Sequence, residues 1–190
     1  MTGRAAGIVI GVGNPFRQDD GVGPEVARRV AEGLGCEPLR GHQDARVSDA
    51  VPGATPSDGD RSPTPSEIEV VELDGEPTRL IEAWTDRRFA VVIDAVAEGG
   101  TPGSFQVECL GVGDPRLPER GGGTHAMGIG EAVALGEALD RMPEHLVVVG
   151  VRGTSFGEGD TMTAPVLAAV GPVTAVVERI ARQLANGRNG

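Results

Sequence analysis

The chain has 190 residues, with 28 acidic against 17 basic side chains for a formal net charge of -11, 39% hydrophobic residues and 3% aromatic ones. That length and apolar content suffice for one domain with a substantial core, while the negative charge and the scarcity of aromatics (no Tyr, a single Trp84) argue against nucleic acid or an anionic membrane as partner. With no run of about 18 apolar residues, no charged-then-apolar leader and no C-x-x-C around Cys36 or Cys109, the expected protein is cytoplasmic, with two ordinary reduced cysteines.

In chain order, the first element is the apolar run GIVIGV at 7–12, which reads as a buried strand. It leads into GVGNPFRQDDGVG at 11–23. Gly11 and Gly13 match the first two positions of G-x-G-x-x-G, but the third falls on Phe16, and the acidic residue that a dinucleotide fold places about 20 residues on is replaced by a continuing helix. A phosphate-binding turn presents backbone N–H groups and no negative charge, so the adjacent carboxylates of Asp19 and Asp20 point instead to something positive. The helix pattern that follows spans 22–34, with Val22, Val26, Val30 and Leu34 along one side.

Residues 40–66, RGHQDARVSDAVPGATPSDGDRSPTPS, are rich in Pro, Asp, Ser and Gly and carry no large apolar side chain beyond Val, which predicts a flexible insertion within a single domain of residues 1–190. EIEVVEL at 67–73 alternates and is expected near a sheet edge. TRLIEAWTD at 78–86 predicts a short helix, FAVVIDAV at 89–96 a second buried strand, and SFQVECL at 104–110 a further strand. A helix is expected over 127–142, with Ile129, Val133, Leu139 and Met142 on one side, and a third buried strand at HLVVVGV, 145–151. APVLAAVGPVTAVVERIARQLA at 164–185 reads as a helix pair bent or divided at Pro172. Strand and helix alternate, so the class is α/β.

In an open α/β sheet, the loops leaving the carboxyl ends of parallel strands converge on one crevice, where ligands bind. Asp20 follows the first strand, Asp94 closes AVVID, and His125 precedes a helix in GGGTHAMG, so these three are expected to meet. Each has a plainer reading. Asp20 could be only the N-cap of the helix starting near Val22, Asp94 could take a similar capping role in the next loop, and His125 could serve only as a loop hydrogen-bonding group. Against that, an ionised carboxylate closing a buried strand is costly unless paired or coordinated. Together they form an O,O,N set suited to a divalent transition metal with open positions. His42 and His145 are not expected to join it, and no H-E-x-x-H or G-x-S-x-G is present to suggest a zinc protease or serine hydrolase.

GVGNPFRQDDGVG, VVIDAV followed by GGTPGS, THAMGIGEAVAL and VVVGVRGTSFGEGDTMTAPV resemble, in order and spacing, the hydrogenase maturation proteases, over nearly the whole chain apart from 40–66. The resemblance implies a three-layer α/β/α domain with a mostly parallel central sheet, phosphorylase/hydrolase-like. It also implies an aspartyl-type endopeptidase that trims the C-terminal extension of the [NiFe] hydrogenase large-subunit precursor. Asp20, Asp94 and His125 would be its catalytic and metal-binding residues, gripping nickel that arrives in the substrate. Two departures stand out: the family's D-G-G-T after the second strand is DGEP here, keeping Asp74 and Gly75, and the 40–66 insertion interrupts a compact pattern. Two rivals remain, a nickel-binding carrier or checkpoint protein that inspects the precursor without cutting, and a Rossmann-type nucleotide binder.

Overall fold

The computed structural model describes residues 6–40, 67–97, 99–110 and 126–187. The strands are β1 (Gly7–Val12), β2 (Leu39–Arg40), β3 (Ile68–Leu73), β4 (Phe89–Val96), β5 (Phe105–Leu110) and β6 (His145–Arg152); the helices are α1 (Val22–Leu34), α2 (Pro77–Trp84), α3 (Ala126–Ala138) and α4 (Ala164–Asn186). They form one six-stranded sheet of order β2-β3-β1-β4-β6-β5, parallel throughout except for the antiparallel edge strand β5. Every residue of β1 is buried, and so is every residue of β4 but the last. This explains their continuous apolar runs, because a central parallel strand is covered on both faces.

Side chains alternate across β1 and β4 and divide the core in two. Val9, Phe89, Val91 and Ile93 face α1 and α4, packing with Val22, Val26, Val30, Val170 and Val173. Ile8, Ile10, Val12, Ala90 and Val92 face α2 and α3, packing with Leu80, Ile81, Trp84, Ile129 and Val133. The expected α/β class with three α/β/α layers and a mostly parallel sheet is the architecture found.

Several boundaries differ from expectation. α4 is one helix and not a pair. Pro172 lies inside it on an exposed face, as does Ala168 four residues earlier, so the backbone bond that proline removes is lost on the side open to water. The same helix is long and apolar enough, by length and composition, to cross a membrane. Much of its apolarity is spent in the core, where Val166, Val170, Val173 and Val177 are fully buried. α3 stops at Ala138, short of 142, because the chain turns at Asp140 with φ of +54° and leaves Leu139 exposed. Arg40, read as the start of the insertion, is the last residue of β2 and pairs with Glu72 of β3; residues 41–66 lie outside the described residues.

Candidate metal-binding and catalytic site

The chain leaves β1 at Gly13, whose φ is +136° and whose N–H donates to the Leu73 carbonyl at 3.0 Å. A Cβ on Gly13 would lie 2.0 Å from the Asp20 carbonyl oxygen, and one on Gly23 would lie 2.1 Å from the Val12 oxygen and 2.7 Å from the Ile93 oxygen. These glycines therefore serve the close approach of the turn and of α1 to the ends of β1 and β4, a purpose unrelated to phosphate.

A 3-10 turn, Gln18–Gly21, carries the two adjacent carboxylates into full burial. Asp20 Oδ2 accepts the Asn14 N–H at 3.0 Å. Gly21 occupies the N-cap position of α1 without a side-chain cap bond, so Asp20 does not cap that helix. Asp94, 3% exposed, stands at the carboxyl end of β4 opposite Gly150 of β6, and its place in the alternation sets it on the α2–α3 face. Its Oδ1 accepts the N–H of Ala95 at 2.8 Å. Burial pushes the Asp94 pKa up to about 8; the Ala95 N–H opposes the rise and the neighbouring Asp20 charge adds to it. The structure thus brings Asp20 and Asp94 within electrostatic reach of each other. At neutral pH Asp94 therefore holds its proton.

Asp19 shows what a change of one residue does. Its Oδ2 accepts from the N–H of Thr154 at 2.9 Å, the N–H of Ser155 at 3.0 Å and the Thr163 hydroxyl at 3.1 Å, while Oδ1 accepts the Thr163 N–H at 2.7 Å. Burial alone would raise its pKa, but these donors outweigh it and bring the pKa below the usual carboxylate value. Asp19 joins the turn to the loop at 153–163 between β6 and α4. Sequence reasoning assigned that loop no role, although its Gly, Ser and Thr content directly after a buried strand was the available signal.

His125 lies outside the described residues, as does His42. α3 begins at Ala126, the next residue after His125, and its first turn reaches the carboxyl end of β3: a Cβ on Gly128 would be 2.4 Å from the Gly75 oxygen. Among the described residues, no group of three or more His, Cys, Asp and Glu side chains gathers as a metal site. His145, paired with Phe89 at the amino end of the sheet, is far from Asp94, as expected. Asp74 follows β3 and is largely exposed, its carboxylate held by Arg79 at 2.8 Å and by the Glu76 N–H at 3.3 Å. It borders a cleft of about 240 Å³ with Gly13, Pro15, Leu73 and Arg79. Neither Cys36 nor Cys109 is in a disulfide, and burial raises the pKa of Cys36.

A mostly parallel sheet between two helical layers, with buried carboxylates where β1 and β4 end, defines an α/β/α protein with its polar crevice at the carboxyl edge. More narrowly, the fold is that of the hydrogenase maturation endopeptidases. It matches the hydrogenase maturating endopeptidase HybD of Escherichia coli with a TM-score of 0.62 at 21% identity, covering 93% of this chain and 92% of that one. An endopeptidase of E. coli solved in solution matches with a TM-score of 0.65 at 19% identity, over 95% and 93% of the two chains. The [NiFe] hydrogenase maturation protease HybD of Thermococcus kodakarensis matches with a TM-score of 0.59 at 20% identity, over 92% and 98%. No protein-family model and no curated relative matches the sequence.

Proposed function

We propose that the chain is a cytoplasmic endopeptidase that removes the C-terminal extension of a nickel-loaded [NiFe] hydrogenase large-subunit precursor. The observation that carries this reading is the burial of Asp20 and Asp94 together at the carboxyl end of β1 and β4. A pair of carboxylates withdrawn from water, one kept protonated chiefly by its burial, is costly for a scaffold and suited to a cation. The shared fold with maturation endopeptidases supports the same reading.

In this reading Asp20, Asp94 and His125 are the metal-gripping set, and nickel is part of the substrate. On engagement Asp94 would give up its proton to solvent, leaving both carboxylates free to hold the ion. His125 supplies the nitrogen ligand. Hydrolysis adds water across the scissile C–N bond, and a divalent ion at that point assists by polarising the carbonyl or by lowering the pKa of the attacking water.

The test is a two-by-two incubation of metal-stripped or zinc-treated protein with empty or nickel-loaded precursor, read by intact mass. The expected result is a fixed mass loss from nickel-loaded precursor with stripped protein and none from empty precursor with zinc-treated protein. Cleavage of the empty precursor would make the site an ordinary catalytic metal centre. A stable complex of unchanged mass would make the chain a carrier.

A further inference from the structure

The turn that carries Asp20 is fastened to the 153–163 loop at several points. Gln18 N–H donates to the Gly159 oxygen at 2.8 Å, Gly159 N–H to the Phe16 oxygen at 2.9 Å, Asp19 N–H to the Ser155 oxygen at 3.0 Å, and Arg17 Nη2 to the Phe156 oxygen at 3.2 Å. Ser155 Oγ bonds the Gln18 side chain. The densest point is the Asp19 carboxylate, which takes N–H groups from both ends of the loop, Thr154 and Ser155 at its start and Thr163 at its finish.

We propose that Asp19 is a positioning residue. By stapling both ends of the 153–163 loop to the 18–21 turn, it fixes the place of Asp20 beside Asp94 before any substrate arrives. The catalytic part of this inference rests on the proposed peptidase reading; the positional part does not. Successive side chains in a 3-10 turn diverge by about a third of a revolution, so one carboxylate faces the loop while its neighbour faces the strand ends. The two residues also share a planar peptide unit, and movement of one carries the other. A buried carboxylate with four donors is held firmly, because charge-assisted hydrogen bonds are about twice as strong as neutral ones. The Asn14 N–H, which donates to Asp20 Oδ2 at 3.0 Å, is a backbone reporter of the position of Asp20.

The experiment compares wild type, Asp19→Ala and Asp19→Asn in the full chain. Asn keeps one acceptor oxygen and so retains part of the staple. Amide hydrogen exchange at Thr154, Ser155 and Thr163 reads the staple, exchange at Asn14 reads the position of Asp20, and exchange in β1 and β4 reads global stability. In Asp19→Ala, exchange at the three loop amides and at Asn14 rises by at least about tenfold with β1 and β4 unchanged, a change of roughly 1.4 kcal/mol or more in local opening. With nickel-loaded precursor, kcat falls by about tenfold or more while KM stays within about twofold, and Asp19→Asn recovers part of both readouts. Wild-type protection of Asn14 in a variant whose loop has loosened would overturn the proposal. So would equal loss of protection in β1 and β4, or an unchanged kcat. If Asp19→Ala does not fold, the same criteria apply to Asp19→Asn. A wild-type chain that cuts no precursor would defeat the peptidase reading and leave the exchange result to decide the staple.

Discussion

The two ends of the sheet treat charge in opposite ways. At the amino end, Asp86, Arg87, Arg88, Asp140, Arg141 and Glu144 surround a hollow of about 420 Å³, larger than the 240 Å³ cleft at the carboxyl end. Yet charge there is balanced and put to use: Arg87 pairs with Glu69, and the Arg88 guanidinium donates to the Leu184 and Ala185 carbonyls at the close of α4. That placement suits a helix whose C-terminal carbonyls carry partial negative charge. At the carboxyl end, Asp20 and Asp94 are buried close together, and Asp94 keeps its proton chiefly because it is buried, with the Asp20 charge adding to the effect. The larger hollow thus pairs its charges in scaffold contacts, whereas Asp20 and Asp94 lie buried apart from the smaller cleft, which Gly13, Pro15, Leu73, Asp74 and Arg79 line.

The largest effect that would break this contrast concerns Asp94. Asp94→Asn, and likewise His125→Ala, is expected to reduce precursor cleavage on the order of a thousandfold or more with an unchanged circular dichroism spectrum, since each removes a reacting group without emptying the core. Full activity in either variant would return the carboxyl end to scaffold status.

A smaller effect sharpens the same contrast through pH. The pKa of Asp94 rises from an ordinary 3.8 to about 8 in the folded chain, so between those values the native state holds a proton that the unfolded state has released. Stability from this group is highest below the window, falls as pH rises through it, and levels off above about 8. Asp19 acts oppositely, its contribution present above the ordinary 3.8 and lost as pH falls through its lowered value. Urea titrations of wild type minus Asp94→Asn should therefore slope downward from about pH 4 to pH 8, by a few kcal/mol in total as an order of magnitude. A flat difference would remove the buried proton.

The amino end gives a stability effect alone. Arg88→Ala, which deletes the bonds to the end of α4, should cost roughly 1 to 3 kcal/mol in denaturant unfolding and leave the cleavage rate of the folded fraction unchanged. Smallest of all, replacing 41–66 by a short Gly/Ser link should leave folding and cleavage nearly as they are, checked by melting temperature and intact mass. Loss of precursor binding in that variant would make the segment a recognition arm.

Much of this was legible in the sequence because burial on both faces writes itself as an unbroken apolar run: β1, β4 and β6 stand where GIVIGV, FAVVIDAV and HLVVVGV placed them. Asp20 and Asp94 were legible by position, at the carboxyl ends of two such runs. The partners of Asp19 were not legible because they lie 135 to 144 residues away, and no local pattern around a carboxylate reveals which distant amides will meet it. Pro172 was misread for a related reason: proline announces a lost backbone bond, but only the packing of α4 shows that the loss falls on the solvent side. The pairing of Arg40 with Glu72 extends a strand into a stretch whose composition argued for none.

Arg88 has one more consequence. Its backbone N–H holds the Ala6 carbonyl at 2.9 Å while its guanidinium holds the last turn of α4. The entry to the first strand and the exit from the last helix are thus moored to one residue at the pole opposite the carboxylates. A domain fused near either point would therefore sit at the pole away from Asp20 and Asp94.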